Sequence, residues 1–136
     1  MNFKFQTETL PKFGDADMLP AMDRQAINAF CAALPGAIAT DPWGGGHDVW
    51  KVGEKSFAFM GTQGIGVTLK CVDQATANML IEVGKGFKAP YLPRGGWVLF
   101  HFDTLEPGEL GERIQTSYDM VFKSLTKKLQ REILAG

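Results

Sequence analysis

Apolar residues recur at helical spacing in three segments of the chain. The first predicts a helix over residues 21–34, because the apolar stripe stops at Pro35-Gly36, a pair that ends helices. The last predicts a helix over residues 107–126, with a proline suited to its first position and acidic residues near its start. A shorter helix is predicted over residues 73–82, where an aspartate fits the N-cap and a glycine follows the end.

Alternation of apolar and polar residues predicts β-strands elsewhere. The predicted strands cover residues 47–52, 56–60, 65–71 and 97–102. Between the first two strands, the short polar turn Gly53-Glu54-Lys55 suits a hairpin. The last of the four is apolar on both faces, which is typical of a central strand that is covered on both sides. The glycine- and proline-rich residues 85–96 are predicted to be loop with at most a short strand.

This order of elements predicts an α+β domain in which helices pack on one face of an antiparallel β-sheet. The chain has 136 residues, which matches one domain. A domain of this size buries roughly 70% of the surface of its unfolded chain. Residues 1–19 show no sustained period and are predicted to form an irregular N-terminal segment, so the domain itself is assigned to residues 20–136.

The composition predicts a cytoplasmic protein that does not bind membranes. No apolar run approaches the ~20 residues that a transmembrane helix needs, and the N-terminus lacks the apolar stretch of a signal peptide. The net charge of −1 argues against a strongly basic nucleic-acid binder. Cys31 and Cys71 are expected to be buried, reduced thiols without a functional role, because their spacing supports neither a zinc site nor a disulfide framework.

No residue pattern in the chain predicts catalysis. His47 and Asp48 are neighbours on a predicted strand, so their side chains point to opposite faces and neither can orient the other. His101 is expected to be a packed core histidine. The glycine run 44–46 precedes a strand and lacks the lysine and hydroxyl of a phosphate loop. No spacing assembles metal ligands, and we therefore expect a protein that is not an enzyme and uses neither metal nor cofactor.

An ordered set of short motifs runs from about Cys31 to about Lys128. The motifs are Leu34-Pro35-Gly36, Trp43-Gly44, Val49-Trp50-Lys51-Val52-Gly53 with Lys55, Phe57-Ala58, Leu69-Lys70-Cys71, Pro90-Tyr91, Trp97-Val98 and Ser117-Tyr118. Together they resemble the MmcQ/YjbR family of small bacterial proteins, which implies a fold similar to the CyaY (frataxin) type. One segment departs from the family pattern. Many members carry polar residues between the tyrosine and the tryptophan, where this chain has Leu92-Pro93-Arg94-Gly95-Gly96.

The resemblance favours weak DNA binding without sequence preference, because a DNA-binding arrangement of two hairpin wings has been proposed for this fold. Transferred to this chain, the wings would be the turn 53–55 and the loop 85–94. A local excess of basic residues accompanies them in an otherwise acidic chain. The residues predicted to contact nucleic acid are Lys51, Lys55, Lys70, Lys85, Lys88 and Arg94.

The alternative hypothesis is a non-enzymatic module that binds a small molecule or a protein partner in an aromatic-lined pocket. The residues predicted to line it are Trp43, Trp50, Tyr91 and Trp97. Tryptophan suits such a pocket because it combines a large apolar surface with one polar handle. The same side chains also fit ordinary core or rim positions of the domain.

Overall fold

The computed structural model describes residues 22–62, 64–92 and 94–136, so the predicted irregular segment 1–19 lies outside the described residues. The strands are β1 (Ile38–Thr40), β2 (Asp48–Val52), β3 (Lys55–Met60), β4 (Gly66–Lys70), β5 (Phe87–Lys88) and β6 (Trp97–His101). The helices are α1 (Arg24–Ala32), α2 (Gln74–Glu82), α3 (Pro107–Lys123) and α4 (Lys127–Ala135). The strands form one antiparallel sheet in the order β1-β2-β3-β4-β6-β5.

The predicted α+β class, an antiparallel sheet with helices on one face, is confirmed. The helix α3 packs across β2, β3 and β4, and it also contacts α1. The core between helices and sheet contains Ile27, Trp50, Phe57, Leu69, Val98, Phe100, Leu110 and Ile114. Leu80 of α2 joins the same core, and Leu129 and Ile133 of α4 pack against it. The apolar stripes that predicted the helices are therefore the surfaces through which the helices pack against the core.

Short polar side chains cap the N-termini of three of these helices. The carboxylates of Asp23 and Asp73 accept hydrogen bonds from backbone N–H groups at the starts of α1 and α2, as N-caps do. The hydrogen bond from the Thr76 backbone N–H lowers the pKa of Asp73. The hydroxyl of Thr126 accepts from the Leu129 N–H at the start of α4.

The final helix was predicted over residues 107–126, and this boundary is wrong. The helix α3 ends at Lys123, and α4 begins as a separate helix at Lys127. The break lies at the Thr126 N-cap, where the chain leaves helical geometry with φ −62° and ψ 153°. Apolar residues continue in register on both sides of the break, so the hydrophobic period alone does not reveal it.

The other face of the sheet carries no described helix. Register places Thr40, Val49, Lys51, Phe59, Thr68, Lys70, Phe87, Trp97, Leu99 and His101 on this side, which we call the open face. The prediction that both sides of the last strand are covered is therefore wrong for β6. Its residues alternate between buried on the helix face and half-exposed on the open face.

His101 is also not the core histidine that the sequence predicted. Its ring is half-exposed at the end of β6 and stacks on Phe87, with 4.0 Å between the ring centroids. Phe87 belongs to the short edge strand β5, which forms only by pairing with β6. The apolar neighbours of His101 in sequence point to the helix face, and this is why the local pattern suggested burial.

Candidate functional site

A pocket of about 860 Å³ opens on the open face of the sheet. Its floor consists of strand residues, Val49, Phe59, Thr68 and Leu99 among them. The loop between β1 and β2 and the loop between β5 and β6 form its walls, which are mostly apolar. A concave apolar site of this size with a few polar groups is the usual form of a small-molecule site.

One wall is built by the glycine run 44–46, whose three residues all have φ between 70° and 97°. These left-handed conformations turn the chain so that the Asp41 carboxylate accepts hydrogen bonds from the N–H groups of Gly46 and His47, at 3.0 and 3.1 Å. The run therefore already holds an anionic group of this chain. The role of the glycine run is structural, because the run presents the half-buried ring of His47 and the exposed ring of Trp43 to the pocket.

Arg24 ties this wall to the rest of the domain. Its guanidinium donates to the carbonyl oxygen of Gly46 at 2.7 Å and to that of Gly61 at 2.5 Å, so it joins two rims of the pocket. Its Nε lies 2.7 Å from the Asp48 carboxylate. No local sequence pattern marks Arg24, because its partners lie more than twenty residues away in the chain.

Asp48 points to the helix face and His47 away from it, so the two side chains lie on opposite faces as strand alternation predicted. Burial by itself would raise the pKa of Asp48, but hydrogen bonds from Arg24 and Asn28 and the positive charge of Arg24 outweigh it, so the pKa is lowered. His47 points away from this cluster, toward the carbonyl oxygen of Gly44 at 2.9 Å and the carboxylate of Asp41 at 3.4 Å. The histidine and its neighbouring aspartate therefore do not form a dyad.

Trp50 does not line the pocket, contrary to its predicted place among the pocket aromatics. It lies on the helix face with 6% of its surface exposed, and its indole N–H donates to the Asn28 side chain at 2.8 Å. Asn28 also donates to Asp48 at 3.1 Å. The two tryptophans Trp43 and Trp50 therefore have different roles, since Trp43 is 66% exposed at the pocket wall.

Tyr91 borders the pocket from the opposite wall, and its side chain is 99% exposed. Its φ is +66°, a left-handed value that costs a residue with a side chain about 1 kcal/mol or more. Glu54 has a similar φ of +74°, but it shares a two-residue hairpin turn with Gly53 at +58°, where such angles are required. Tyr91 also lies in a turn, which the Leu92 N–H closes on the Ala89 carbonyl oxygen at 3.4 Å, and a positive φ at the residue after Pro90 is what a type II turn requires. The turn holds the exposed ring of Tyr91 at the pocket rim.

Trp97 lies beside the pocket, behind its floor residue Phe59. The two rings meet edge to face with 5.4 Å between their centroids. The ammonium of Lys70 lies 5.4 Å from the Trp97 ring centroid, in a cation–π arrangement, and donates to the Gly95 carbonyl oxygen. The structure therefore brings three of the four predicted pocket aromatics to the open face and places Trp50 elsewhere.

The six predicted nucleic-acid contacts do not gather on one surface. Lys51 and Lys70 belong to the open face. Lys55 and Lys85 reach α3 instead, where the first donates to the Ser124 hydroxyl at 3.2 Å and the second pairs with Glu109 at 3.0 Å. Lys88 lies on the edge strand β5 beside α2, and Arg94 is exposed in the following loop.

Across the described ranges 22–62, 64–92 and 94–136, no three His, Cys, Asp or Glu side chains converge in a way that could hold a metal ion. None of the helices in these ranges has the length and apolar character needed to cross a membrane. The thiols of Cys31 and Cys71 are buried, and burial raises the pKa of Cys31 to about 12 and also raises that of Cys71.

Comparison with known proteins places this fold in a family. The family model described as YjbR matches residues 32–120, which is more than half of the chain. Among solved structures, the crystal structure of Deinococcus radiodurans protein DR2400, which has the family-model domain DUF419, matches with a TM-score of 0.72 and 25% identity over 80% of this chain and 86% of that chain. No curated protein matches the chain. The sequence resemblance is thereby confirmed, and the chain belongs to the YjbR family.

Proposed function

We propose that this protein is a non-enzymatic binding module that takes a planar, mostly apolar ring into the pocket on the open face. The observation that carries the proposal is the pocket of about 860 Å³ between Trp43 and Tyr91. Both rings are largely exposed, although exposed aromatic surface is unfavourable in water. A bound ring would cover them and would gain the stacking energy of aromatic pairs.

The way the pocket is held supports the same proposal. Arg24 and Asp41 fix the Trp43 wall by hydrogen bonds that do not depend on a ligand. A wall that is fixed in advance loses little conformational entropy when a ligand binds. Tyr91, in contrast, sits in an exposed turn between β5 and β6, where its side chain is free of packing contacts. We therefore assign Trp43 to the rigid side of the site and Tyr91 to its adaptable side.

Duplex DNA binding through the two predicted wings stays a prediction, and the placement of the basic residues gives it little support. Lys55 and Lys85 are engaged with α3, on the side of the molecule opposite to Lys51 and Lys70. A duplex would need several of these charges on one surface to neutralise adjacent phosphates. The aromatic pocket is thus the better-supported function of the two.

An NMR titration with indole tests the proposal. Indole should shift the amide signals of Thr68 and Leu99, which line the pocket. We expect a Kd on the order of 1 mM, since about nine non-hydrogen atoms contribute roughly 0.5 kcal/mol each. Replacing Trp43 or Tyr91 by alanine should weaken binding about 3- to 10-fold, which is the value of one lost aromatic contact. Thermal stability should change little because both side chains are exposed.

Trp50→Phe is the matched control for the loss of an aromatic residue. It removes the buried hydrogen bond to Asn28 and should lower the free energy of unfolding by about 1–3 kcal/mol, yet leave indole binding unchanged. Absence of any indole-induced shift near Thr68 would refute the proposal. So would a loss of binding in folded Trp50→Phe that Trp43→Ala does not share.

A further inference from the structure

We propose that the open face binds single-stranded nucleic acid, with bases stacked on its aromatic rings and phosphates beside Lys51 and Lys70. This inference rests on the proposed function, because one base would occupy the pocket between Trp43 and Tyr91. It specifies the chemical class of the ligand, which the pocket by itself does not. It also differs from duplex binding, in which the bases are stacked on each other and are not free to stack on a protein ring.

Aromatic rings stand at three places on the open side of the sheet. The pairs are Trp43 with His47 at 5.2 Å between ring centroids, Phe59 with Trp97 at 5.4 Å, and Phe87 with His101 at 4.0 Å. Phe59 on β3 and Phe87 on β5 are separated by β4 and β6, a distance of about 14 Å at the usual strand spacing. This spread exceeds one base, so a ligand with several successive rings fits the face better than a single ring does.

The charged side chains in the strands of this face have one sign. The only carboxylate in the six strands of the described sheet is that of Asp48, which points to the helix face and pairs with Arg24. The charged strand residues of the open face are Lys51 and Lys70, and both lie at the same end of the sheet as Trp97. No ion pair of either lysine occurs within the described residues. The end of the face that holds Trp97 is therefore complementary to a ligand that carries negative charge next to aromatic rings.

Single-stranded nucleic acid combines these two properties in a regular order. Each nucleotide supplies one flat base and one phosphate, and proteins bind single strands through aromatic stacking beside a basic track. An antiparallel sheet with helices behind and aromatic rings in front is one of the architectures used for this purpose. The basic track of this sheet consists of Lys51 and Lys70, so we expect it to contact two phosphates of the strand.

Fluorescence anisotropy with a labelled oligothymidylate of about ten nucleotides tests the inference on the full chain. The wild-type protein should bind it, and Trp97→Leu should weaken binding roughly 5- to 150-fold, the range for one lost stacking contact. Two phosphate contacts give a slope of about −1.4 for log affinity against log salt, or about a sevenfold loss between 50 and 200 mM. Lys70→Gln should reduce the magnitude of that slope by about 0.7.

Lys127→Gln is the matched control, because this exposed lysine on α4 loses the same charge away from the open face. It should leave affinity and slope unchanged. If Trp97→Leu does not fold, Phe87→Leu serves in its place, since Phe87 is 43% exposed on the edge strand. Melting curves of each variant separate loss of binding from loss of fold.

Several results would overturn the inference. A duplex that binds as tightly as the single strand would show that base stacking is not used. A mononucleotide that binds as tightly as the oligomer would assign the site to free nucleotides. Self-association that Trp97→Leu abolishes would assign the face to a second copy of the chain, and binding of an acidic aromatic peptide in place of the oligomer would assign it to a protein partner. If indole binds while the oligomer does not, this inference fails and the proposed pocket function stands.

Discussion

At the residue scale, Arg24 and Asp48 show how a few polar side chains position the pocket wall. The Arg24 guanidinium has three acceptors, of which one is the Asp48 carboxylate and two are backbone carbonyl oxygens of the rims. The carboxylate fixes the arginine, and the arginine fixes Gly46 and Gly61. Because the pair is only partly exposed, its charges are screened less than those of a surface pair. A change at Asp48 should therefore affect stability and the shape of the pocket together.

Asp48→Asn should destabilise the protein by about 1 kcal/mol at pH 7, because it removes the charge that Arg24 faces. The folded-state pKa of Asp48 is lowered, so its stabilising effect is present above the unfolded-state pKa of ~3.9 and is lost as the pH falls through the folded-state value. Urea unfolding at pH 7 and near pH 3 measures the difference. Asp103→Asn, at an exposed loop position, is the control. An Asp48→Asn effect of the same size at both pH values would contradict this account.

At the element scale, Ser117 connects α3 to two strands. Its hydroxyl donates to the Phe57 carbonyl oxygen at 2.6 Å and accepts from the Lys70 N–H at 2.8 Å, and the side chain is fully buried. Phe57 lies at an irregularity of the β2–β3 ladder, where the register shifts between Trp50 and Lys51 and no strand partner faces it. The serine therefore supplies the hydrogen bond that the ladder cannot.

Ser117→Ala should lower the free energy of unfolding by about 1–3 kcal/mol, because it leaves buried backbone groups of β3 and β4 without a partner. Ser124→Ala is the control, since Ser124 is exposed near the end of α3 and its loss should change stability by less than about 0.5 kcal/mol. Urea denaturation of both variants measures these changes in the free energy of unfolding. Equal stability of Ser117→Ala and wild type would mean that water replaces the hydroxyl.

At the scale of the whole molecule, one face of the sheet carries the apolar core and the other the proposed binding surface. The helix face contains the apolar core, including the thiols of Cys31 and Cys71. The open face contains the pocket, the exposed rings and the lysines Lys51 and Lys70. Changes to the core should therefore alter stability without altering ligand affinity, and changes to the open face should do the reverse.

The two cysteines test this division. A thiol reagent should modify Cys31 and Cys71 of the native protein only through unfolding, because both are buried and burial raises their pKa values. Replacing either by alanine should cost up to a few kcal/mol of stability through lost packing and leave indole and oligonucleotide binding intact. Modification rates with increasing urea, together with binding titrations of the variants, measure both effects. Lost binding in a folded cysteine variant would show that a thiol serves the site.

The sequence alone determined the fold class and most of the elements. Strands β2, β3, β4 and β6 lie within one residue of their predicted bounds, because alternation of apolar side chains is a local property of each strand. The hairpin at Gly53 and the N-cap at Asp73 followed from local backbone chemistry in the same way. The opposite directions of the His47 and Asp48 side chains were also correct, since the period of two assigns each residue to a face.

Only the tertiary structure decided the site. The edge strands β1 and β5 exist because of their pairing partners, and their sequences carry no alternation of their own that is long enough to predict them. Trp43 and Trp50 look equivalent in sequence. In the structure, Trp50 donates to Asn28 in the core, whereas Trp43 is held at the pocket by the loop that Asp41 closes. Period and composition assign a side chain to a face of its own element. Which face other elements then cover depends on contacts between residues that are far apart in the chain.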